Sequence, residues 1–107
     1  IGDSAFSYCK SLVEITNLNN VTSIGGSAFE GCGLLKTISD LSNVESIGNS
    51  AFALCWSLES VGDLRNVSKI ESWAFFNCPS LTLRVLPNSY AENYAKSHSI
   101  KYTYIED

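Results

Sequence analysis

One phrase constrains this chain more than any other: Ser-Ala-Phe-x-x-Cys, carried four times with one change. It reads Ser4-Ala5-Phe6-Ser7-Tyr8-Cys9, Ser27-Ala28-Phe29-Glu30-Gly31-Cys32 and Ser50-Ala51-Phe52-Ala53-Leu54-Cys55. The last copy is Trp73-Ala74-Phe75-Phe76-Asn77-Cys78. Each Phe and each Cys follows the previous one by 23 residues, without insertion. A fixed period in the twenties is the signature of a solenoid, in which one unit cannot bury its apolar face and stacking completes the core.

The apolar columns agree. From Phe6 they run Cys9, Leu12, Ile15, Leu18, Val21 and Ile24, and the same steps of three recur from Phe29 and from Phe52. Neither the 3.6 period of a helix nor the 2.0 period of a strand fits such steps. The pattern predicts an α/β repeat solenoid whose wall turns inward at every third residue. Leu12–Ile15, Leu35–Ile38 and Leu58–Val61 read as one short parallel strand per coil. Val21–Ile24, Val44–Ile47 and Val67–Ile70 read as a second extended piece. The Ser-Ala-Phe to Cys segment reads as a helical turn, with Ser4, Ser27 and Ser50 as N-caps. Trp73 replaces that Ser, so the fourth turn is expected to be less well capped. Gly2, Gly25 and Gly48 read as turn positions.

The register breaks after Leu81. Leu81, Leu83 and Val85 alternate as a strand would, and Leu86-Pro87-Asn88-Ser89 reads as a turn into a helix capped by Asn88 or Ser89. Tyr90, Ala91, Tyr94, Ala95 and His98 fall on one helical face, and Ile100 to Ile105 alternates as a final strand. The expected organisation is about four coils over residues 1–86, the first truncated, and a C-terminal helix–strand cap over 87–107. Glu92, Lys96, Ser97, Lys101 and Glu106 supply the polar outer side that a terminal cap needs.

The run Val44-Glu45-Ser46-Ile47-Gly48-Asn49-Ser50-Ala51-Phe52-Ala53-Leu54-Cys55-Trp56-Ser57-Leu58-Glu59-Ser60-Val61 resembles the BspA-like leucine-rich repeats of bacterial and protist surface proteins. Their running phrase is close to V-x-S-I-G-x-x-A-F-x-x-C-x-x-L-x-x-I, and the likeness covers about the first 85 residues. The tail from Ser89 to Tyr102 is similar to the family's S-Y-A-x-x-Y-A-x-x-x-x-I-x-Y ending. One departure stands out: the family often carries Ile-Pro after the strand, whereas here Asn17, Asp40 and Asp63 precede Leu18, Leu41 and Leu64. A shorter strand ending in a polar turn follows. The resemblance implies a leucine-rich repeat of 23 residues with short parallel strands and helical turns. It also implies a non-enzymatic protein-binding or adhesion module of an extracellular or cell-surface protein, with a host matrix protein as a partner. The alternative is a structural spacer that presents another domain of a longer parent.

Charge and composition narrow the partners. Formal net charge is −4, and Lys and Arg number seven against eleven Asp and Glu, which disfavours nucleic acid. No apolar run approaches the roughly 18–20 residues that span a bilayer, so no membrane insertion is expected. The chain lacks Met, and Ile1 aligns with Ile24, Ile47 and Ile70, so the expectation is a piece of a longer protein with a cut N-terminus. Phe6, Cys9, Leu12, Ile15 and Leu18 would then form an uncovered first coil, able to self-associate.

The chemistry-bearing residues read as structural. Parallel coils about 4.8 Å apart put four equivalent cysteines on a line about 14 Å long, whereas zinc needs four sulfurs about 2.3 Å from one point. Parallel Cβ vectors near 5 Å apart also exceed the usual disulfide spacing of about 3.5–4.5 Å. The thiols therefore read as small buried hydrophobes. Asn20-Val21-Thr22 and Asn66-Val67-Ser68 are sequons, but Asn43 shares their column without one, which points to a turn requirement. No catalytic set, metal set or phosphate loop is present, His98 stands alone, and neither a cofactor nor an enzyme activity is expected.

Two surfaces are candidates for binding. Tyr8, Leu54, Trp56, Trp73 and Phe76 are large groups in columns where no ladder demands them. They read either as a contact patch or as side chains packed over coil edges. Val13, Glu14, Lys36, Thr37, Glu59 and Ser60, with Thr16, Ser39 and Thr82, face outward on the strand side, small, polar and mixed in charge. Solenoids commonly bind partners on such a face.

Overall fold

A computed structural model describes residues 1–106. The last residue of the expected cap, Asp107, lies outside the described residues. The described residues are rich in very short strands and carry one helix. Strands β1 (Glu14–Ile15), β2 (Ser23–Ile24), β3 (Thr37–Ile38), β4 (Ser46–Ile47), β5 (Lys69–Ile70) and β6 (Thr82–Val85) precede helix α1 (Tyr90–Ser97) and strand β7 (Lys101–Tyr104). Among the described residues all pairing is parallel, in three sheets: β1 with β3, β2 with β4 and β4 with β5, and β6 with β7. Ile15 faces Ile38, while Ile24, Ile47 and Ile70 face one another in turn, so equivalent residues of successive passes sit side by side. The strands are shorter than the four-residue segments read from the sequence, and in the third pass the first strand shrinks to a single bridge from Thr37 to Ser60.

The Ser-Ala-Phe-x-x-Cys segment is not helical. Ser4, Ser27, Ser50 and Trp73 have φ of 56°, 56°, 58° and 64°. An N-cap requires extended backbone, so these serines do not cap anything. Trp73 adopts the same conformation, and its turn closes as the others do, with the Phe76 N–H donating to the Trp73 carbonyl at 3.0 Å. A second left-handed residue follows at Tyr8, Gly31, Leu54 and Asn77. The result is a run of tight turns. In the first copy Ala5, Ser7, Cys9 and Leu12 donate to the carbonyls of Gly2, Ser4, Phe6 and Cys9 at 3.2–3.3 Å. A stretch this short cannot offset the cost of nucleating a helix. The left-handed residues instead rotate alternate N–H groups towards the next pass. Ser4, Phe6 and Tyr8 donate to the carbonyls of Gly26, Ala28 and Glu30 at 2.6–2.8 Å, and the next two copies repeat the arrangement.

The core follows from that stacking. Phe6, Phe29, Phe52 and Phe75 form one column, ring centroids 5.3 Å apart and planes within 5° of parallel. Phe29 and Phe52 are fully buried, and with the Leu, Val and Ile columns they make one continuous core. Phe6, at the open end of the column, is 39 % exposed.

The cysteines do more than fill space. The thiols of Cys32, Cys55 and Cys78 donate to the carbonyls of Phe6, Phe29 and Phe52 in the preceding pass at 3.0–3.1 Å. Each of those carbonyls already accepts the N–H of the cysteine in its own pass, so the thiol occupies its second lone pair. Burial, reinforced by the neighbouring thiols, pushes Cys55 up to about 12, and burial pushes Cys78 up to about 11. All four thiols are free.

Three more columns owe their residue type to the stacking. Gly25 and Gly48 do not have left-handed backbones; a Cβ on Gly48 would lie 2.6 Å from the Gly26 nitrogen, and one on Gly25 would lie 2.6 Å from the Asp3 nitrogen. They are glycine because neighbouring backbones touch there, not because a turn needs them. Asn66 sends its side-chain amide to the Ser42 carbonyl of the preceding pass at 2.6 Å, and Asn43 does the same to Asn19. The Asn column is thus a bridge between passes rather than a local turn bond. The turn after the first strand is local: Asp40 and Asp63 accept the N–H groups of Ser42 and Arg65 at 3.1 and 2.9 Å.

After β6 the spacing changes. Thr82 pairs with Lys101 and Val85 with Tyr104, because α1 crosses over between the two parallel strands. Ser89 is the N-cap and accepts the Glu92 N–H at 3.1 Å, while Glu92 accepts the Asn88 N–H at 2.8 Å. This closes a box at the start of α1. Glu92 was expected on the polar outer side of the cap, yet it is only 3 % exposed. The Tyr104 hydroxyl donates to it, and that bond, followed by the Asn88 N–H and the Lys96 charge, holds its carboxyl below the usual range.

Two outcomes follow. Gly48→Ala forces a methyl group into backbone and should cost about 2 kcal/mol, on the order of 10 °C in Tm. Gly2→Ala, whose Cβ would meet nothing within 4 Å, should stay within about 0.5 kcal/mol of the parent; thermal melts check both. The raised thiols give a second outcome. A folded state that prefers the protonated thiol keeps its full stability below the ordinary value of 9.0 and loses it as pH rises towards about 12. Urea-unfolding free energies should fall above pH 9, and Cys55→Ser, which keeps a donor but does not titrate, should reduce that slope by up to about 1.4 kcal/mol per pH unit.

Candidate functional site

The last Ser-Ala-Phe-like turn and the cap helix do not close against each other. Between them lies a groove of about 500 Å³, walled by Trp73, Phe75 and Phe76 on one side and by Tyr94, His98 and Ile100 on the other, with Ser72 and Asn77 at its edges. A second hollow of about 370 Å³ shares Phe75, Asn77, His98 and Ile100 and extends it towards Trp56, Pro79 and Lys101. The walls are positioned by elements already described. Trp73 packs edge-on against Phe76 with centroids 5.0 Å apart. Phe75 ends the aromatic column against Tyr94 at 6.2 Å. His98, the C-cap of α1, stacks on Tyr94 at 3.9 Å, and its Nδ1 lies 2.9 Å from the Tyr94 carbonyl.

The groove is apolar with a polar lip. Trp73, Trp56 and Phe76 are 61 %, 53 % and 43 % exposed. Ser72, Asn77, His98, Ser99 and Lys101 are its hydrophilic groups, and among the described residues no carboxylate lines either hollow. In a chain of net charge −4 that makes the groove locally neutral to positive. Burial, before the charges of Tyr90 and Cys78, pushes the Tyr94 hydroxyl up to about 12, so it is a neutral donor.

The structure divides the aromatic residues singled out in the sequence. Trp56, Trp73 and Phe76 come together at the groove. Tyr8 does not: its ring lies over Gly31, where a Cβ would sit 2.3 Å from it, and its hydroxyl donates to Glu30 at 3.4 Å. Leu54 is half-buried at a left-handed turn position. Trp56 also rests beside Gly33, 3.7 Å from where a Cβ would stand. Packing over the edges of neighbouring passes therefore accounts for Tyr8 and for part of Trp56.

The strand side is a separate surface. Val13, Glu14, Lys36 and Glu59 are exposed there, while Thr37 and Ser60 are half-buried in the bridge between passes. Lys36 and Glu59, in adjacent passes, approach to 3.9 Å. Both side chains are more than half exposed, so water screens the pair and its net contribution is small. Sequence reasoning missed Tyr94, His98, Asn77 and Lys101 as groove residues. A signal for His98 existed, since the spacing of the aromatic column carries Phe75 on to His98, but the crossover that brings α1 there has no such period.

Among the described residues no helix is long and apolar enough to cross a membrane. Comparison with curated proteins and with solved structures finds no match. The family model described as BspA type leucine rich repeat region (6 copies) matches residues 1–105, which extends the likeness read from the repeated phrase through β7. With its column of stacked Phe rings, its parallel pairing of equivalent residues and a family match over nearly its whole length, the chain belongs to the BspA-type leucine-rich repeat family.

Proposed function

We propose that this chain is a non-enzymatic protein-binding module, built as a solenoid of 23-residue coils and borne by an extracellular or cell-surface protein. The family supports a repeat module for interaction at a surface. The observation that carries the reading is the cluster of Trp56, Trp73 and Phe76, large apolar groups left in solvent around a groove. Exposed aromatic groups around a hollow are the usual anchors of protein interfaces, and such anchors supply most of the binding energy. The strand side, with Lys36 and Glu59, is a second, polar surface whose contacts would set orientation more than affinity. The partner class we propose is a host matrix protein, as the resemblance to BspA-like repeats implies.

The competing reading, a rigid spacer, draws on the aromatic column and the Asn and Cys bridges, which tie each pass to the next. One experiment separates them. The chain is immobilised and exposed to a panel of extracellular-matrix and serum proteins. A binding module gives saturable binding to at least one of them, weakened by about 2 kcal/mol or more in Trp73→Ala. Absence of saturable binding across the panel would overturn the proposal and leave the spacer.

A further inference from the structure

Three backbone donors that find an acceptor everywhere else in this chain have none at its last turn. Ser4, Phe6 and Tyr8, then Ser27, Phe29 and Gly31, then Ser50, Phe52 and Leu54 all donate their N–H groups to carbonyls of the following pass, at 2.6–3.0 Å. Trp73, Phe75 and Asn77 hold the equivalent places. Trp73 and Asn77 have the same left-handed φ, 64° and 56°, as Ser50 and Leu54, and the Phe75 ring continues the column. Among the described residues nothing accepts from their three N–H groups. The cause lies in the crossover: Thr82 pairs with Lys101, so the chain reaches β7 through α1 instead of passing beneath this turn. The three residues border the groove in its place.

The rest of the chain shows what fits such a row. In the preceding pass the row Ser50, Phe52 and Leu54 is met by the carbonyls of Ser72, Ala74 and Phe76, one from every second residue of a backbone running alongside. A groove with an unmatched row of this kind calls for peptide backbone, as in recognition by strand addition, where main-chain bonds provide affinity and side-chain pockets provide specificity. Charge narrows the choice. Among the described residues no carboxylate lines the groove, and Lys101 lines its extension, in a chain that is net negative.

We propose that this groove binds an extended acidic–apolar peptide segment of a protein partner. Carbonyls at alternate residues of the segment accept the N–H groups of Trp73, Phe75 and Asn77. A large apolar side chain packs over the Trp73–Phe76 pair, and a carboxylate meets Lys101. The proposal rests on the protein-binding reading and names the site and the ligand chemistry within it.

The test pans a phage-displayed library of random octapeptides against the whole chain and follows selected synthetic peptides by NMR. The expected result is enrichment of sequences that join a large apolar residue to Asp or Glu. Their binding should shift the amide signals of Trp73, Phe75 and Asn77 and slow the exchange of those protons. Affinity should fall at least about tenfold in Trp73→Ala and in Lys101→Glu. Both side chains are exposed, so the two variants should keep the parent's amide dispersion, which the same spectra check. Failure to enrich any peptide overturns the proposal, as do peptides that leave the three amides unmoved. It is also overturned if those amides respond to sulfate or phosphate alone, which would make the row an anion site. Peptides weakened by Lys36→Glu but not by Trp73→Ala overturn the groove while leaving the protein-binding reading intact. Absence of binding to both the peptides and the protein panel sinks the two together.

Discussion

Everything in this structure depends on alternate backbone N–H groups of one pass meeting carbonyls of the next. In a helix those bonds stay within a segment and tolerate any neighbour. Here they run between segments, so the two must stay in phase. An extra residue in any pass would bring the wrong atoms opposite each other, which is why the Phe and Cys spacing never varies. The same requirement places non-glycine residues such as Ser27, Ser50 and Leu54 in left-handed backbone. That conformation costs on the order of 1 kcal/mol or more per residue. In the first three copies of the turn it persists because each left-handed residue turns an N–H group towards a carbonyl of the following pass that would otherwise be unmatched.

Once the passes are in phase, chemistry follows column by column. Phe rings meet Phe rings at 5.3 Å and bury together. Thiols reach the spare lone pairs of the Phe carbonyls, and Asn amides reach carbonyls across the gap. Glycine is required where backbones touch, at Gly25 and Gly48. The cysteine thus serves as a weak donor held in its protonated form by burial, which fits a structural group and not a reactive one.

The constraint ends at the last pass, and that is where the surface becomes distinctive. The chain leaves the phase after Leu81, crosses through α1 and returns as β7 beside β6. The core is covered by Tyr94, Ala91 and Ala95, but the final turn is not. Trp73 and Phe76 occupy columns held elsewhere by Ser or by smaller groups, and they flank the uncovered side. The departure from the repeated phrase and the departure from the stacking coincide in space. A buried carboxylate, Glu92, fastens the crossover by joining Asn88 at the start of the helix to Tyr104 on the closing strand.

Much of this was legible in the sequence, and what was not has definite causes. The period alone identifies which residues stack, because only stacking can bury columns spaced by three; the strand and helix of the cap follow from their own local periodicities. Residue type also marks Trp56, Trp73 and Phe76 as out of place in their columns. The sequence does not say whether a Ser before Ala-Phe caps a helix or adopts left-handed backbone, since both suit Ser and the choice turns on whether a neighbouring pass supplies the carbonyls. Nor does it separate a glycine that turns from one that is touched. Glu92 could be read as a capping partner from Ser89-x-x-Glu92, but its burial depends on Tyr104, twelve residues away. The sequence by itself determined the columns and their phase, because these depend only on spacing. Tertiary structure alone decided the direction of the N–H groups, the donor role of the thiols and the groove at the last turn, because each depends on what the adjacent pass places within hydrogen-bond reach, or fails to place there.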